Sequence, residues 1–196
     1  MTMARHLVIF ARFPKAGAGK RRLAEGVGDV QAVRFSRVRL AVLVARLARD
    51  PRWTTWLAAT PDGAGPWPRG VRVLGQGRGD LGARMGRVFR ALPRGPVVII
   101  GSDCPAVSGA HVARAFERLG GQRAVFGPAS DGGYWLVGLD WRGRMRVPFE
   151  GVRWSSAFAL ADTVANVAGP VALIDTLDDV DDAGDLARCP AWGRVV

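Results

Sequence analysis

This 196-residue chain has only two cysteines, only two lysines and no long apolar run. Each shortage excludes something. Cys104 and Cys189 cannot build a disulfide framework and do not stand at a metal-ligand spacing, which fits a reducing, cytoplasmic setting. The apolar run from His6 breaks at Arg12, too short for the core of a signal peptide and far too short to cross a bilayer, so no stable membrane insertion is expected. Repeats, linkers and low-complexity tracts are missing as well. Residues 1–196 therefore read as a single domain, long enough to bury roughly 70 percent of its unfolded surface.

Acidic residues are few beside basic ones: 17 Asp and Glu against 28 Lys and Arg, a net charge of +11. A clustered excess of that size would favour phosphate backbones. Here the arginines are spread along the chain without a nucleic-acid-binding motif, so nucleic acid is not an expected partner. Arg37, Arg39, Arg46 and Arg49 are expected on the wet face of a helix.

What is present gathers in two places. Both lysines lie in the loop Phe13 to Leu23, directly after the strand-like run His6 to Arg12. Its glycines let the backbone approach a ligand, and Lys15, Lys20, Arg21 and Arg22 suit an anionic one. The loop is not a P-loop: Lys20 follows Gly19, but no glycine precedes at the required offset and Arg21 replaces the hydroxyl residue. A solvated basic turn is the plain alternative. As exposed loop cations, Lys20 and Arg22 are expected to contribute little to folding stability.

The second place is Gly101-Ser102-Asp103-Cys104-Pro105, which follows the apolar run Pro96 to Ile100. In an open α/β sheet the ligand crevice lies beyond the carboxyl ends of the strands, and an Asp there can hold a divalent cation against phosphate oxygens. A turn or helix-capping Asp is the alternative.

Strands and helices alternate around these clusters. The pattern predicts a helix from Asp29, as its cap, to about Asp50, with Val33, Leu40, Val44 and Leu47 on one stripe. It also predicts strands at 53–60, 71–74, 96–100, 123–127, 134–139 and 171–174, and helices at 80–92, 108–119, 155–167 and through 178–187. The implied fold class is α/β, a central and mostly parallel sheet with helices on both faces.

Five segments, in order, carry a resemblance: Phe10 to Lys15 with Lys20 to Ala24, Gln76 to Met85, Gly101 to Pro105, Gly127 to Gly138, and Asp179 to Leu186. Together they resemble the DUF2064 group of the nucleotide-diphospho-sugar transferase superfamily. That group is described as GT-A-fold and glycosyltransferase-like, and it is similar to the phospholactate guanylyltransferases and the molybdenum-cofactor nucleotidyltransferases.

The resemblance implies a single-domain GT-A fold and a set of roles. Phe10, Ala11 and Arg12 would lie near base and ribose, Lys15, Lys20 and Arg22 near the phosphates, and Asp80, Gly82 and Arg84 on the far side of the nucleotide. Asp103 would hold magnesium or manganese. Asp131 would be the catalytic group, as a base or hydrogen-bond acceptor, with Gly132, Gly133, Tyr134 and Trp154 toward sugar or acceptor. Trp135 would add to an aromatic wall, with core packing as the alternative for each ring. Departures qualify this transfer of roles. Gly101 stands where glycosyltransferases often have the first Asp of Asp-x-Asp, the Gly-x-Gly-x-x-Arg run of sugar nucleotidyltransferases is missing, and Arg21 replaces a small hydroxyl residue. Asp179 and Asp181 resemble a late Asp-x-Asp, although carboxylates also favour a helix start.

The expected partners are a nucleotide or nucleotide-sugar and a small-molecule acceptor. Sugar transfer from a nucleotide-sugar donor is the first expectation. Nucleotidyl transfer from a triphosphate onto a phosphorylated small molecule, guanylyltransferase-like, is the second, and a non-catalytic nucleotide-binding protein is the third.

Overall fold

The computed structural model describes residues 3–17, 19–142 and 146–189; Ala18 of the basic loop and both chain ends of the expected 1–196 domain lie outside them. Seven strands form one sheet in the order β3-β2-β1-β4-β6-β5-β7. They are β1 (His6–Arg12), β2 (Thr54–Thr60), β3 (Arg72–Gly75), β4 (Gly95–Gly101), β5 (Ala124–Pro128), β6 (Tyr134–Trp141) and β7 (Val171–Leu173). The pairs β1 with β2, β1 with β4, β2 with β3, and β5 with β7 are parallel. β6 runs antiparallel to both neighbours, β4 and β5.

The central strands are apolar on both faces, which is why their sequences run without alternation. Leu7, Ile9, Val98 and Ile100 point to one core with Leu40, Leu43 and Leu47 of α2 (Asp29–Leu47) and Val112 and Phe116 of α4 (Gly109–Arg118). Val8, Val97 and Ile99 point to the other, with Met85, Val88 and Phe89 of α3 (Leu81–Ala91) and, at its margin, Leu160 of α5 (Ala159–Ala165). A third cluster joins Leu23 of α1 (Arg21–Val27), Phe35 of α2, Val180, and Leu186 of α6 (Ala183–Ala187). It clamps the basic loop to the acidic segment near the C-terminus. Gly26 permits the clamp, since a Cβ there would stand 2.6 Å from the Cβ of Ala183.

Several expectations need correction. A short helix, α1, occupies 21–27, and the cap of α2 is Gly28, with φ 84, while Asp29 is its first helical residue. α5 is shorter than expected: Ser155 sits at φ 56, outside the helical region, and the helix starts only at Ala159. Arg39 is not on the wet face of α2 but 5 percent exposed. The helix expected from Ser108 is capped by it, the Ser108 N–H donating to His111 Nδ1 at 3.2 Å, and Asp80, expected beside the nucleotide, caps α3, its Oδ1 accepting from the Ala83 N–H at 2.7 Å.

Candidate active site

The antiparallel insertion of β6 fixes where the loops meet. Leu136, near its start, pairs with Ile100 near the end of β4 and Gly127 near the end of β5. Loops after β1, β3, β4, β5 and β7 thus open onto one edge of the sheet, the usual ligand side of an open α/β fold.

Lys20 lies at the centre of that edge. It precedes α1 in the left-handed region, φ 46 and ψ 40, a conformation that costs a non-glycine residue about 1 kcal/mol. Three contacts of its ammonium offset the cost. Nζ donates to the Val180 carbonyl at 2.6 Å and to Asp181 Oδ1 at 3.0 Å, and stands 3.1 Å from Asp103 Oδ2. Burial pulls the ammonium pKa down, but Asp103 and Asp181 outweigh it and the pKa is raised. With its side chain 12 percent exposed, Lys20 is no free loop cation. This corrects the expectation that it contributes little to folding.

Asp103 is positioned from both directions. Ser102 Oγ donates to its Oδ1 at 3.1 Å, its carbonyl accepts from the Val180 N–H at 3.2 Å, and its side chain keeps 41 percent of its exposure. Two cavities meet at this residue. One, of about 400 Å³, runs under the basic loop past Arg12, Lys15, Lys20, Arg21 and Asp181. The other, of about 340 Å³, is lined by Asp131, Gly133, Tyr134, Trp154 and Asp179.

The expected nucleotide contacts Phe10, Ala11, Asp80, Gly82 and Arg84 line neither cavity, and a residue that sequence reading missed ties their elements together. Gln76, 2 percent exposed, donates through Nε2 to the carbonyls of Ala11 at 3.2 Å and Ala58 at 2.8 Å, and its Oε1 accepts from Arg84 Nη1 at 3.0 Å. Burial and the charge of Arg12 lower the Arg84 pKa, so two like charges are held near one another, a frame suited to an anion. Phe10 is half-buried and Ala11 is buried within β1. Asp80 commits one oxygen to its capping bond. Gly82 packs rather than opens: a Cβ would meet Phe149 at 2.8 Å and Trp154 at 2.9 Å. Arg22 is exposed and 3.6 Å from Asp182.

On the other side, Asp131 Oδ1 accepts from the Gly133 N–H at 2.8 Å and the carboxylate stays exposed. Gly132 has φ 84, and a Cβ there would collide with the backbone of Ala157, so this turn requires glycine. Tyr134 and Trp154 meet edge to face with centroids 6.4 Å apart, and burial raises the tyrosine pKa. Trp135 is 6 percent exposed and donates Nε1 to the Asp175 carbonyl at 3.0 Å, largely a core ring. Burial pushes the Cys104 thiol up to about 11, which keeps it protonated.

The acidic segment divides its labour. Asp178 accepts from the Ser130 N–H and hydroxyl, Asp182 caps α6, and Asp185 pairs with Arg188 at 2.7 Å. Asp179 differs: although it reaches solvent, the protein packed around it and then Asp181 raise its carboxyl pKa against the pull of Lys20. A carboxyl whose folded pKa is raised keeps more protons in the native state, so its contribution to stability is lost as pH rises above the ordinary carboxylate range. Asp179→Asn is therefore expected to raise the melting temperature at pH 7.5, with the gain shrinking as pH is lowered toward 4. Melting curves across that range check it, and a gain that grows toward acid would contradict it.

Among the described residues no three His, Cys, Asp or Glu side chains converge as a metal cage, and none of the helices is long and apolar enough to cross a membrane. The chain matches, over residues 37–156, the sequence profile of the family described as "Uncharacterized protein conserved in bacteria (DUF2064)". It belongs to that family. The matched stretch holds Asp80, Asp103 and Asp131, while Lys20 and Asp181 lie outside it.

The crystal structure of a "putative nucleotide-diphospho-sugar transferase" from Desulfovibrio desulfuricans G20 superposes with a TM-score of 0.85 at 26% identity, over 98% of this chain and 94% of that one. The 2-C-methyl-D-erythritol 4-phosphate cytidylyltransferase of Thermus thermophilus gives 0.58 at 18%, over 99% and 100%. CMP:2-keto-3-deoxy-manno-octonic acid synthetase complexed with CTP gives 0.59 at 9%, over 98% and 99%. These likenesses establish the nucleotide-diphospho-sugar transferase fold of the DUF2064 chain. No curated protein matches its sequence.

Proposed function

We propose that this DUF2064 protein is a nucleotide-utilising transferase that moves a sugar from a nucleotide-sugar donor to a small-molecule acceptor. The observation that carries the reading is the meeting of two cavities at Asp103, one rimmed by Arg12, Lys15, Lys20 and Arg21, the other by Asp131, Tyr134 and Trp154. The cationic side suits a diphosphate and the aromatic side a sugar ring. The name of the Desulfovibrio neighbour supports the same class.

In this reading Phe10, Ala11 and Arg12 border the base and ribose, with Arg84 facing them from α3. Lys15 neutralises phosphate oxygens, Lys20, its three donors held by Val180, Asp181 and Asp103, adds only its charge, and Arg22 adds charge from the rim. Asp80 and Gly82 shape the far wall, one by capping α3 and the other by letting Phe149 and Trp154 close on it. Asp131, free of any cation in the described residues, accepts the acceptor's proton or hydrogen bond, and Gly132 and Gly133 hold it there.

Asp103 fits a magnesium or manganese ion only as one ligand among several. Its oxygens already meet Ser102 and Lys20, and no carboxylate cage surrounds it among the described residues. The remaining positions would come from phosphate oxygens and water, so ion and nucleotide bind together. When bound, the ion takes up charge on the diphosphate leaving group.

Nucleotidyl transfer is the second reading, favoured by the half-buried Lys20 beside Asp103, whose charge would help to neutralise a triphosphate. The products separate them. Incubation with a panel of nucleotide-sugars, nucleoside triphosphates and acceptors, with either ion, is expected to release a nucleoside diphosphate. Pyrophosphate would establish the second reading, and neither product would leave a nucleotide-binding protein without turnover.

A further inference from the structure

Arg39 is the second feature of this chain that local pattern hid. It lies in the row Phe35, Arg39, Leu43, Leu47 along α2, in which every side chain is buried, and is itself 5 percent exposed. A guanidinium is costly to bury unless carboxylates or carbonyls satisfy it. This one is poorly satisfied. Nε has no partner, and its hydrogen bond in the described residues runs from Nη2 to the Cys104 carbonyl at 3.5 Å, long for such a bond. Burial lowers its pKa, and nearby Arg46 adds to that effect.

The side chain lines a cavity of about 960 Å³ on the α2 and α6 side of the molecule. Val38, Val42, Ala106 and Val180 supply apolar wall. Of the six carboxylates that line it, four are engaged, Asp178 with Ser130, Asp181 with Lys20, Asp182 with Arg22 and the start of α6, and Asp185 with Arg188, while Asp131 and Asp179 have no ion pair among the described residues. The rim cations Arg22 and Arg188 are thereby matched, whereas Arg39 and Arg46 have no ion pair among the described residues. The α2 wall of the cavity, apolar around the unmatched Arg39, selects an anionic head on a small apolar body there. Asp131 and Asp179 line both this cavity and the one beside Asp103, so the two are neighbours separated by the acidic segment.

We propose that the cavity is a second ligand site, in which Arg39 holds the carboxylate or phosphate of a small organic anion whose apolar part lies against Val38, Val42 and Ala106. Arg39, Val38, Val42 and Ala106 line this cavity and neither of the other two, although its rim shares Arg22 and Asp181 with the cavity under the basic loop and Asp131 and Asp179 with the one beside Asp103.

The test follows arginine Nε–H resonances of the full chain by NMR, with the Arg39 signal assigned by its absence from Arg39→Lys. Butyrate, monobutyl phosphate and inorganic phosphate are the probes. The Arg39 signal is expected to shift saturably with butyrate or monobutyl phosphate, whichever head the site prefers. Inorganic phosphate, which has no apolar part, should bind at least tenfold more weakly than monobutyl phosphate. Lys15→Ala, in the basic loop, should leave these affinities unchanged, and Arg39→Lys should weaken them at least tenfold. Arg39→Met is expected to melt at or above the wild-type temperature, since it relieves a poorly paired buried charge. No saturable shift of the Arg39 signal with any probe would overturn the proposal. So would Arg39→Lys binding the probes as tightly as wild type while Arg39→Met melts well below it, because Arg39 would then be a structural cation.

Discussion

Lys20→Met is expected to damage fold and binding site together. Methionine keeps the length of the side chain but leaves the Val180 carbonyl without its donor and sets the Asp103 and Asp181 carboxylates beside each other unneutralised. A charge-assisted hydrogen bond contributes about 1.5–3 kcal/mol, reduced here because both carboxylates keep over two-fifths of their exposure. A loss of about 1–3 kcal/mol, or roughly 2–10 °C in melting temperature, is expected. Because the folded pKa of Lys20 is raised, its contribution is fully present below the ordinary lysine pKa and is lost only in alkali. The gap between wild type and variant should thus stay constant from pH 6 to pH 9. Arg22→Ala, exposed and 3.6 Å from its carboxylate, should cost under about 1 kcal/mol. Equal melting of Lys20→Met and wild type would mean that the three contacts do not hold the loop.

Asp103→Asn is expected to reduce turnover by about 10²–10³-fold, the several kcal/mol that a correctly held divalent ion contributes at about 1.4 kcal/mol per tenfold. Asparagine preserves size and the acceptor for Ser102 but loses the charge that faces Lys20, so melting should fall, by less than in Lys20→Met. Nucleotide binding should lose its dependence on the ion along with the activity. Asp131→Asn is the contrast, since a group used on the acceptor spares donor affinity while slowing transfer. Steady-state kinetics with donor binding measured in parallel check both. An unchanged ion requirement in Asp103→Asn would move the ion to the acidic segment, and lost donor binding in Asp131→Asn would put that carboxylate on the donor side.

The parts of this fold that sequence disclosed are those with local signatures. The double-sided apolar runs of β1 and β4, the Ser108 cap, and the placement of the lysine loop and Asp103 at strand ends all follow from residues within a few positions of one another. What sequence withheld depends on contacts between distant residues. Lys20 bonds to the Val180 carbonyl across 160 positions, and Gln76 reaches Ala11 across 65. Nothing in either neighbourhood announces those partners. The antiparallel direction of β6 does have a local mark, since the stretch Ala129 to Gly133 that joins it to β5 is too short for the crossover that parallel neighbours need, but its insertion beside β4 has none.

Arg39 is a different kind of miss. Phe35, Arg39, Leu43 and Leu47 recur every fourth residue, so the apolar row runs straight through the arginine. The signal was there. It is overridden by the general tendency of arginine to lie in water, which holds for Arg37 and Arg46 on the same helix and for Arg49 just past its end. Gly82 and Gly132 make a related point, since both fall in motifs that point to ligands and both also have steric reasons to be glycine.

The central claim is that a nucleotide diphosphate binds where Lys20 meets Asp103, and titration calorimetry with a panel of nucleoside diphosphates and magnesium or manganese tests it most directly. At least one diphosphate is expected to bind with one-to-one stoichiometry, and to lose tenfold or more in affinity in both Lys20→Met and Asp103→Asn. Binding should also persist at raised salt, unlike diffuse attraction to a protein of charge +11. No binding by any of the diphosphates, or equal affinity in wild type and both variants, would contradict the account.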